Sequence, residues 1–392
     1  MTATEAPEEV GEQGSPSRKK AGESTTNAKH TRKTACPVPL SVTENFPLRF
    51  DVNDFRFERS KLLGEGHIGK VMIANYRGLP IACKCRRSQK PRRVFHDHIA
   101  RELTFAAKLS VCRFMNPYLG VFECSPQHLK FSSSVDASGP AITATSRGSY
   151  KDLYIVQRYY EHGDLRDLME KRATKHFHPI EVLQIAISLS AALTDAHKLG
   201  IGIVDLKLEN ILMDANGSGW ITDFGSCVEM NGQDELNLIE MQIPWTNDVA
   251  APEMIQHGVF RKESDIFMAM LIVAEVMTPN LSDKEFQEHV LSRHKDGSVN
   301  FRTAAINPIY SPFYGVLQRS LHSDPKQRPD ALSMLFYFEA MRKESLTNLT
   351  AQIPMSFRDT KQDDISTYGD DTTDFILSSA DSASDLSDVN HE

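Results

Sequence analysis

Residues 57–87 read FERSKLLGEGHIGKVMIANYRGLPIACKCRR, an alternation of apolar and polar positions broken by glycine-containing turns. A period of two with such breaks predicts a β-hairpin followed by a further strand. The period then changes. Over 94–109, Phe95, Ile99, Leu103 and Ala107 recur every fourth position, which predicts a helix with one buried face. Glu102, three after Ile99, is placed at the edge of that face. Short strands are predicted at 118–124 (YLGVFEC) and 151–160 (KDLYIVQRYY), separated by a Ser/Ala/Gly-rich loop over 125–149.

Beyond residue 160 the helical period dominates. Residues 179–200 begin with proline and end with glycine, the asymmetry expected of a helix. Residues 263–278 (ESDIFMAMLIVAEVMT) are apolar on every side, which marks a helix inside a core. Residues 331–343 predict a last helix. The layout is α+β: a small β-rich lobe, about 56–157, ahead of a larger helical lobe, about 161–346. Residues 1–50 and 350–392 are too poor in apolar residues to bury a core and are expected to be disordered tails.

Charge refines this picture. The net charge is −8, and residues 361–392 alone carry nine acids against one lysine. The body is therefore near neutral, which argues against a nucleic-acid surface. The longest apolar run, 267–277, contains Glu275 and is far short of the ~20 residues of a membrane span. Six scattered cysteines form no CxxC pair, so reduced thiols in an intracellular protein are expected. Basic clusters at 17–20 and 29–33 have the composition of a bipartite nuclear import signal. The reading kept is a solvated tail on a cytoplasmic protein, with the nucleus as the alternative.

Candidate chemistry starts at Leu63, Gly64, Glu65, Gly66, His67, Ile68, Gly69, Lys70 and Val71, which spell G-x-G-x-x-G-x-V from Gly64 onward. A dinucleotide-binding loop also uses three glycines, but a helix follows it at once. Here a strand pattern follows, and a Gly-rich hairpin lets backbone N–H groups approach phosphates unhindered by Cβ atoms. Thirteen residues after Val71, at the end of IACK, stands Lys84, two after Ala82. A lysine so flanked by apolar residues is costly to bury unpaired, and Glu102 is its natural partner. Further along come DLKLEN (205–210), DFG (223–225), APE (251–253), Asp265 and DPKQRP with Arg328.

In order and spacing these motifs resemble the protein kinase family over about residues 56–346. The resemblance implies a two-lobed fold, ATP and Mg²⁺ as cofactors, and protein substrates. It implies that Lys84, held by Glu102, orients the α- and β-phosphates of ATP. It makes Asp223 and Asn210 the magnesium ligands, Asp205 the acceptor of the substrate proton, and Lys207 the cation that offsets charge on the transferred group. Arg328 becomes the partner of the APE glutamate, Glu253. Lys207 is the choice of serine/threonine kinases.

Departures from the family are informative. Its usual His-Arg pair before the catalytic aspartate is Ile203-Val204 here. The missing arginine is the one that grips a phosphate on the activation loop. Residues 226–250 contain only Ser226 and Thr246 as hydroxyl residues, and Thr246 is read as loop structure rather than as a phosphorylation site. Phe267 and Met270 replace the usual Trp and Gly, Gln157 stands at the back of the adenine pocket before the hinge at 158–160, and Trp245 and Val249 depart from the serine/threonine pattern. The expectation is a serine/threonine kinase that needs no loop phosphorylation. The alternatives are a nucleotide-binding scaffold and a dual-specificity or tyrosine kinase.

Overall fold

The structure, a computed structural model, describes residues 50–65, 69–86, 92–125, 129, 151–172, 176–294 and 298–351. Residues 1–49 and 352–392, which make up nearly all of both tails, most of the 125–149 loop, and Gly66, His67 and Ile68 lie outside the described residues, as do the expectations that concern them.

Five antiparallel strands form the first lobe: β1 (Phe55–Glu65), β2 (Gly69–Tyr76), β3 (Leu79–Arg86), β4 (Tyr118–Cys124) and β5 (Asp152–Arg158), in the order β1-β2-β3-β5-β4. The two-residue turn between β2 and β3 puts Arg77 at φ 49° and Gly78 at φ 93°. That positive pair matches the twist of a tight hairpin. Arg77 is held there by an ion pair to Asp54 at 2.8 Å. Helix α1 (Arg92–Leu109) links β3 to β4.

The sheet is buried on both faces. In β5, Leu153 and Ile155 join the core built with Phe95, Ile99 and Leu103 of α1. Tyr154 and Val156 face a second cluster with Phe55, Phe57 and Phe122. Glu102 is fully buried, not at the edge of the helix face as the spacing suggested. The helix is enclosed by the second lobe as well as the sheet, so its buried arc is wider than one apolar stripe.

The second lobe contains α2 (Leu165–Lys171), α3 (Pro179–Lys198), α4 (Pro252–His257), α5 (Lys262–Val276), α6 (Asp283–His289), α7 (Tyr314–Ser320) and α8 (Ala331–Ala351). The expected start of α3 is confirmed by its cap. His178 and Glu181 form a reciprocal capping box, and Pro179 stands at the first helical position. By length and composition α3 alone among the described helices could cross a membrane, but most of it is buried inside the domain. The apolar helix expected over 263–278 is α5, packed against α3 and α7. Phe267 is fully buried under two guanidinium groups, with ring centroids 5.0 Å from Arg328 and 5.6 Å from Arg293. Two short antiparallel pairs, 201–202 with 228–229 and 211–213 with 219–221, frame the loops below the first lobe. The run GWIT (219–222) and the apolar stretch ahead of Asp205 read as strands in the sequence, whereas their partners at 211–213 and 228–229 did not stand out from loop.

One half-buried group in α5, with one carboxyl oxygen enclosed, makes stability depend on pH. Burial pushes the Glu275 carboxyl from its ordinary 4.5 up to about 8, and its Oε2 has no hydrogen-bond partner. The folded chain then holds a proton that the unfolded chain has lost, so stability falls as pH rises from about 4.5 to about 8. Glu275→Gln is expected to raise the melting temperature at pH 8 and to change it little at pH 5. Equal shifts at both values would contradict this.

Candidate active site

The cleft between the lobes collects the motif residues from five elements. Lys84 extends from the middle of β3, where Cys83 and Cys85 turn to the buried second cluster. Its Nζ donates to both Glu102 oxygens at 2.8 Å and to Asp223 Oδ1 at 3.2 Å. Burial alone would lower the pKa of this ammonium, but Asp223 and Glu102 outweigh that and raise it. It is a fixed cation. Enclosure pushes Asp223 up in turn, but Lys84 and then His98 beside it prevail and hold its carboxyl below the ordinary value.

Glu102 has a second donor in the Tyr118 hydroxyl. Burial first, and Glu102 next, push that hydroxyl far above its ordinary pKa, so it stays a donor. The Tyr118 ring lies 5.4 Å from the buried Phe224 ring. Asp223 itself sits at φ 62°, ψ 77°, a left-handed conformation that costs a non-glycine residue energy and turns its side chain into the cleft.

Asp205 follows a second strained residue, Val204, at φ 74°. A β-branched residue resists that conformation, and Asp265 of α5 holds it. Its carboxylate accepts the Ile203 N–H at 2.9 Å and the Val204 N–H at 3.0 Å, and meets His197 Nε2 at 2.9 Å. Around Asp205 the loop is tightly bonded. Lys207 Nζ donates to Asp205 Oδ2 at 2.7 Å and to the Thr246 hydroxyl at 2.9 Å, and the Thr246 N–H donates to Asp205 Oδ1 at 2.9 Å. Asn210 Nδ2 donates to the Asp205 carbonyl at 2.8 Å. That leaves the amide oxygen of Asn210 and the carboxylate of Asp223 as hard donors suited to Mg²⁺.

Leu63, Gly64 and Glu65 end β1, while Gly69, Lys70 and Val71 open β2, so they flank the hairpin tip. A Cβ on Gly69 would stand 3.0 Å from the Cys85 carbonyl, whereas one on Gly64 would meet nothing within 4 Å. Val71 pairs with Lys84 across the β2–β3 ladder. Ala82 pairs with Gln157 across the β3–β5 ladder. Gln157 is buried, and its Oε1 accepts from Asn116 Nδ2 at 3.3 Å. Asn116 also donates to the Thr222 hydroxyl at 3.1 Å.

The structure thus brings together Lys84, Glu102, Asp223, Asn210, Asp205 and Lys207. Sequence reasoning missed Tyr118, Asn116 and His98. The Asn116-Pro117 break before β4 was a signal for the second of these. Thr246, read as structure, is tied to the site by two hydrogen bonds.

Comparison with known proteins agrees with this geometry. A family model described as the protein kinase domain matches residues 57–348. Serine/threonine-protein kinase 33 of Bos taurus is 29% identical over 197 residues, 47% of this chain and 39% of that protein. Protein kinase C epsilon type of Oryctolagus cuniculus is 27% identical over 244 residues, 62% of this chain and 29% of that protein. Actin-regulating kinase 1 of Saccharomyces cerevisiae is 28% identical over 205 residues, 48% of this chain and 30% of that protein. The matches therefore cover less than half the length of these relatives. With the family model matching most of the chain and the motif residues gathered in one cleft, the chain belongs to the protein kinase family.

Proposed function

We propose that the chain is a protein serine/threonine kinase that transfers the γ-phosphate of ATP without phosphorylation of its activation loop. The observation that carries this reading is the bonded set Asp205–Lys207–Thr246, which holds the loop against the reacting carboxylate through protein groups alone. The serine/threonine name of the Bos taurus relative and the choice of Lys207 support the same substrate class. Five buried free cysteines among the described residues support an intracellular compartment, with the cytoplasm first and the nucleus as the alternative.

Bound MgATP supplies the transferable phosphoryl group together with a cation that neutralises it. Lys84 orients the phosphates, and Glu102 and Tyr118 fix the direction of Lys84. Asp223 and Asn210 would hold the metal, whose charge would offset that of the phosphates. Asp205 accepts the proton of the substrate hydroxyl at a carboxylate oxygen, and Lys207 offsets charge on the group in transit.

The test uses the full chain after phosphatase treatment, with MgATP, mixed protein substrates and phosphoamino acid analysis. Phosphate is expected on serine and threonine. Thr246→Ser keeps the hydroxyl and most of the activity. Thr246→Val removes one of the two acceptors of Lys207, leaves Asp205 as the other, and is expected to cost about 10- to 100-fold, the worth of a hydrogen bond to a charged group. Activity that vanishes on phosphatase treatment would overturn loop independence. Phosphotyrosine alone would overturn the substrate class. Nucleotide binding without transfer would leave the scaffold reading.

A further inference from the structure

Helix α1 carries His98, Arg101, Phe105 and Lys108 at steps of three, four and three, which places them on one face. The segment after Asp223, a 3-10 turn over Phe224–Ser226 that leads into the strand Val228–Glu229, runs along that face, and alternate residues of it meet the helix in the same order. At Gly225, a Cβ would lie 2.2 Å from the His98 ring. The Cys227 carbonyl accepts from Arg101 Nη2. The Glu229 carboxylate pairs with Lys108 Nζ. One face of the helix thus meets every second residue over five residues of chain, from the 3-10 turn into the strand.

Arg101 is committed to this contact. Its guanidinium lies 5.4 Å from the Phe105 ring, and its Nε is buried without a hydrogen-bond partner. The Cys227 carbonyl therefore offsets much of the cost of enclosing the cation. Glu102, the next residue, points about 100° further round the helix and reaches Lys84. At its other end the gripped segment pairs Val228 with Gly202 and Glu229 with Ile201, and the Met230 N–H donates to the Gly200 carbonyl at 2.7 Å. Those residues lead directly into Val204 and Asp205.

We propose that this face of α1 is a latch, and that Arg101 and Lys108 are positioning residues which keep Glu102 on Lys84 by gripping residues 227–229. The inference rests on reading the chain as a kinase free of loop phosphorylation, and it names the groups that make this possible. Val204 offers no cation for a loop phosphate, and Glu229 brings the negative charge to α1 as part of the chain. The Lys108 and Glu229 side chains are 44% and 40% exposed, so that half of the latch is weak alone and screened by salt.

The test compares Lys108→Glu, Glu229→Lys and the double exchange in the full chain, with Arg101→Gln beside them. One readout is hydrogen exchange of the amides of residues 98–109, which needs no phosphoryl transfer. The other is kcat and the KM for ATP on a protein substrate. Each single charge reversal is expected to speed exchange and lower kcat by about three- to fivefold, as befits an exposed pair. The double exchange should return both to within about twofold of the parent. Arg101→Gln should cost about tenfold, the lower bound for a charge-assisted hydrogen bond. A double exchange no better than either single variant, or exchange rates that none of the changes moves, overturns the latch. A parent without transfer whose exchange still follows the charge pattern overturns the kinase reading and leaves the latch standing.

Discussion

Asp205→Asn is expected to lower kcat by about 10²- to 10⁴-fold, the usual worth of a positioned acid–base group, while the KM for ATP and the melting temperature stay near their parent values. The substitution is isosteric. One side-chain oxygen survives to accept the Thr246 N–H, now 2.9 Å from Asp205 Oδ1. The other position becomes an NH₂ facing the Lys207 ammonium, which now lies 2.7 Å from Asp205 Oδ2. The loop therefore loses an attraction and the site loses its proton acceptor. The nucleotide contacts expected of Lys84 and Asp223 sit on other elements and are untouched. Steady-state kinetics with a titration of ATP separates the two parameters. A variant that keeps parent kcat would remove Asp205 from the chemistry. A loss carried by KM alone would mean that the substitution acts on nucleotide binding.

The largest effect on stability is expected at Arg328. Its two Nη atoms each donate at 2.8 Å to a different oxygen of Glu253, and its side chain is fully enclosed. Breaking a buried pair by removing one partner typically costs about 3–5 kcal/mol, because the other charge is left without compensation. Arg328→Leu should fall in that range in urea unfolding. Replacing the pair by two apolar residues often recovers such a loss, but here only partial recovery is expected. Arg328 also donates to the carbonyls of His322, Glu263 and Ser323, and no apolar residue replaces those bonds. Full recovery in the double variant would show that the three carbonyls find other donors. A loss below about 1 kcal/mol for Arg328→Leu would place the pair among solvated ion pairs.

Much of the site is legible in the sequence because phosphoryl transfer sets the residue types and the fold sets their intervals. Lys84 in a strand, Glu102 on the next helix, and the runs 205–210 and 223–225 identify the cleft before any coordinates do. What stays hidden is the partnership of residues that share no local pattern. Asp265 steadies the backbone at Val204 from 61 positions away. Tyr118 reaches Glu102 from a strand whose alternation gave only its burial. Burial of Glu102 on all sides depends on the second lobe closing over α1, and the helix period contains no information about that. Tertiary enclosure of short strands such as 228–229 likewise overrides their weak local pattern.

Under the proposed kinase reading, in which Gln157 stands behind the adenine ring, its amide gives that wall a chemical preference. It shares the Asn116 Nδ2 donor with the Thr222 hydroxyl, and the amide oxygen of Asn116 is buried without a partner. An inhibitor that drives a purely hydrocarbon ring past Gln157 must part these groups, at about 1–3 kcal/mol for each one left unpaired. A scaffold that carries an amide or a ring nitrogen to the same depth meets them instead. Selectivity against kinases with a hydrocarbon wall at this position is then a matter of hydrogen-bond pairing rather than of ligand size.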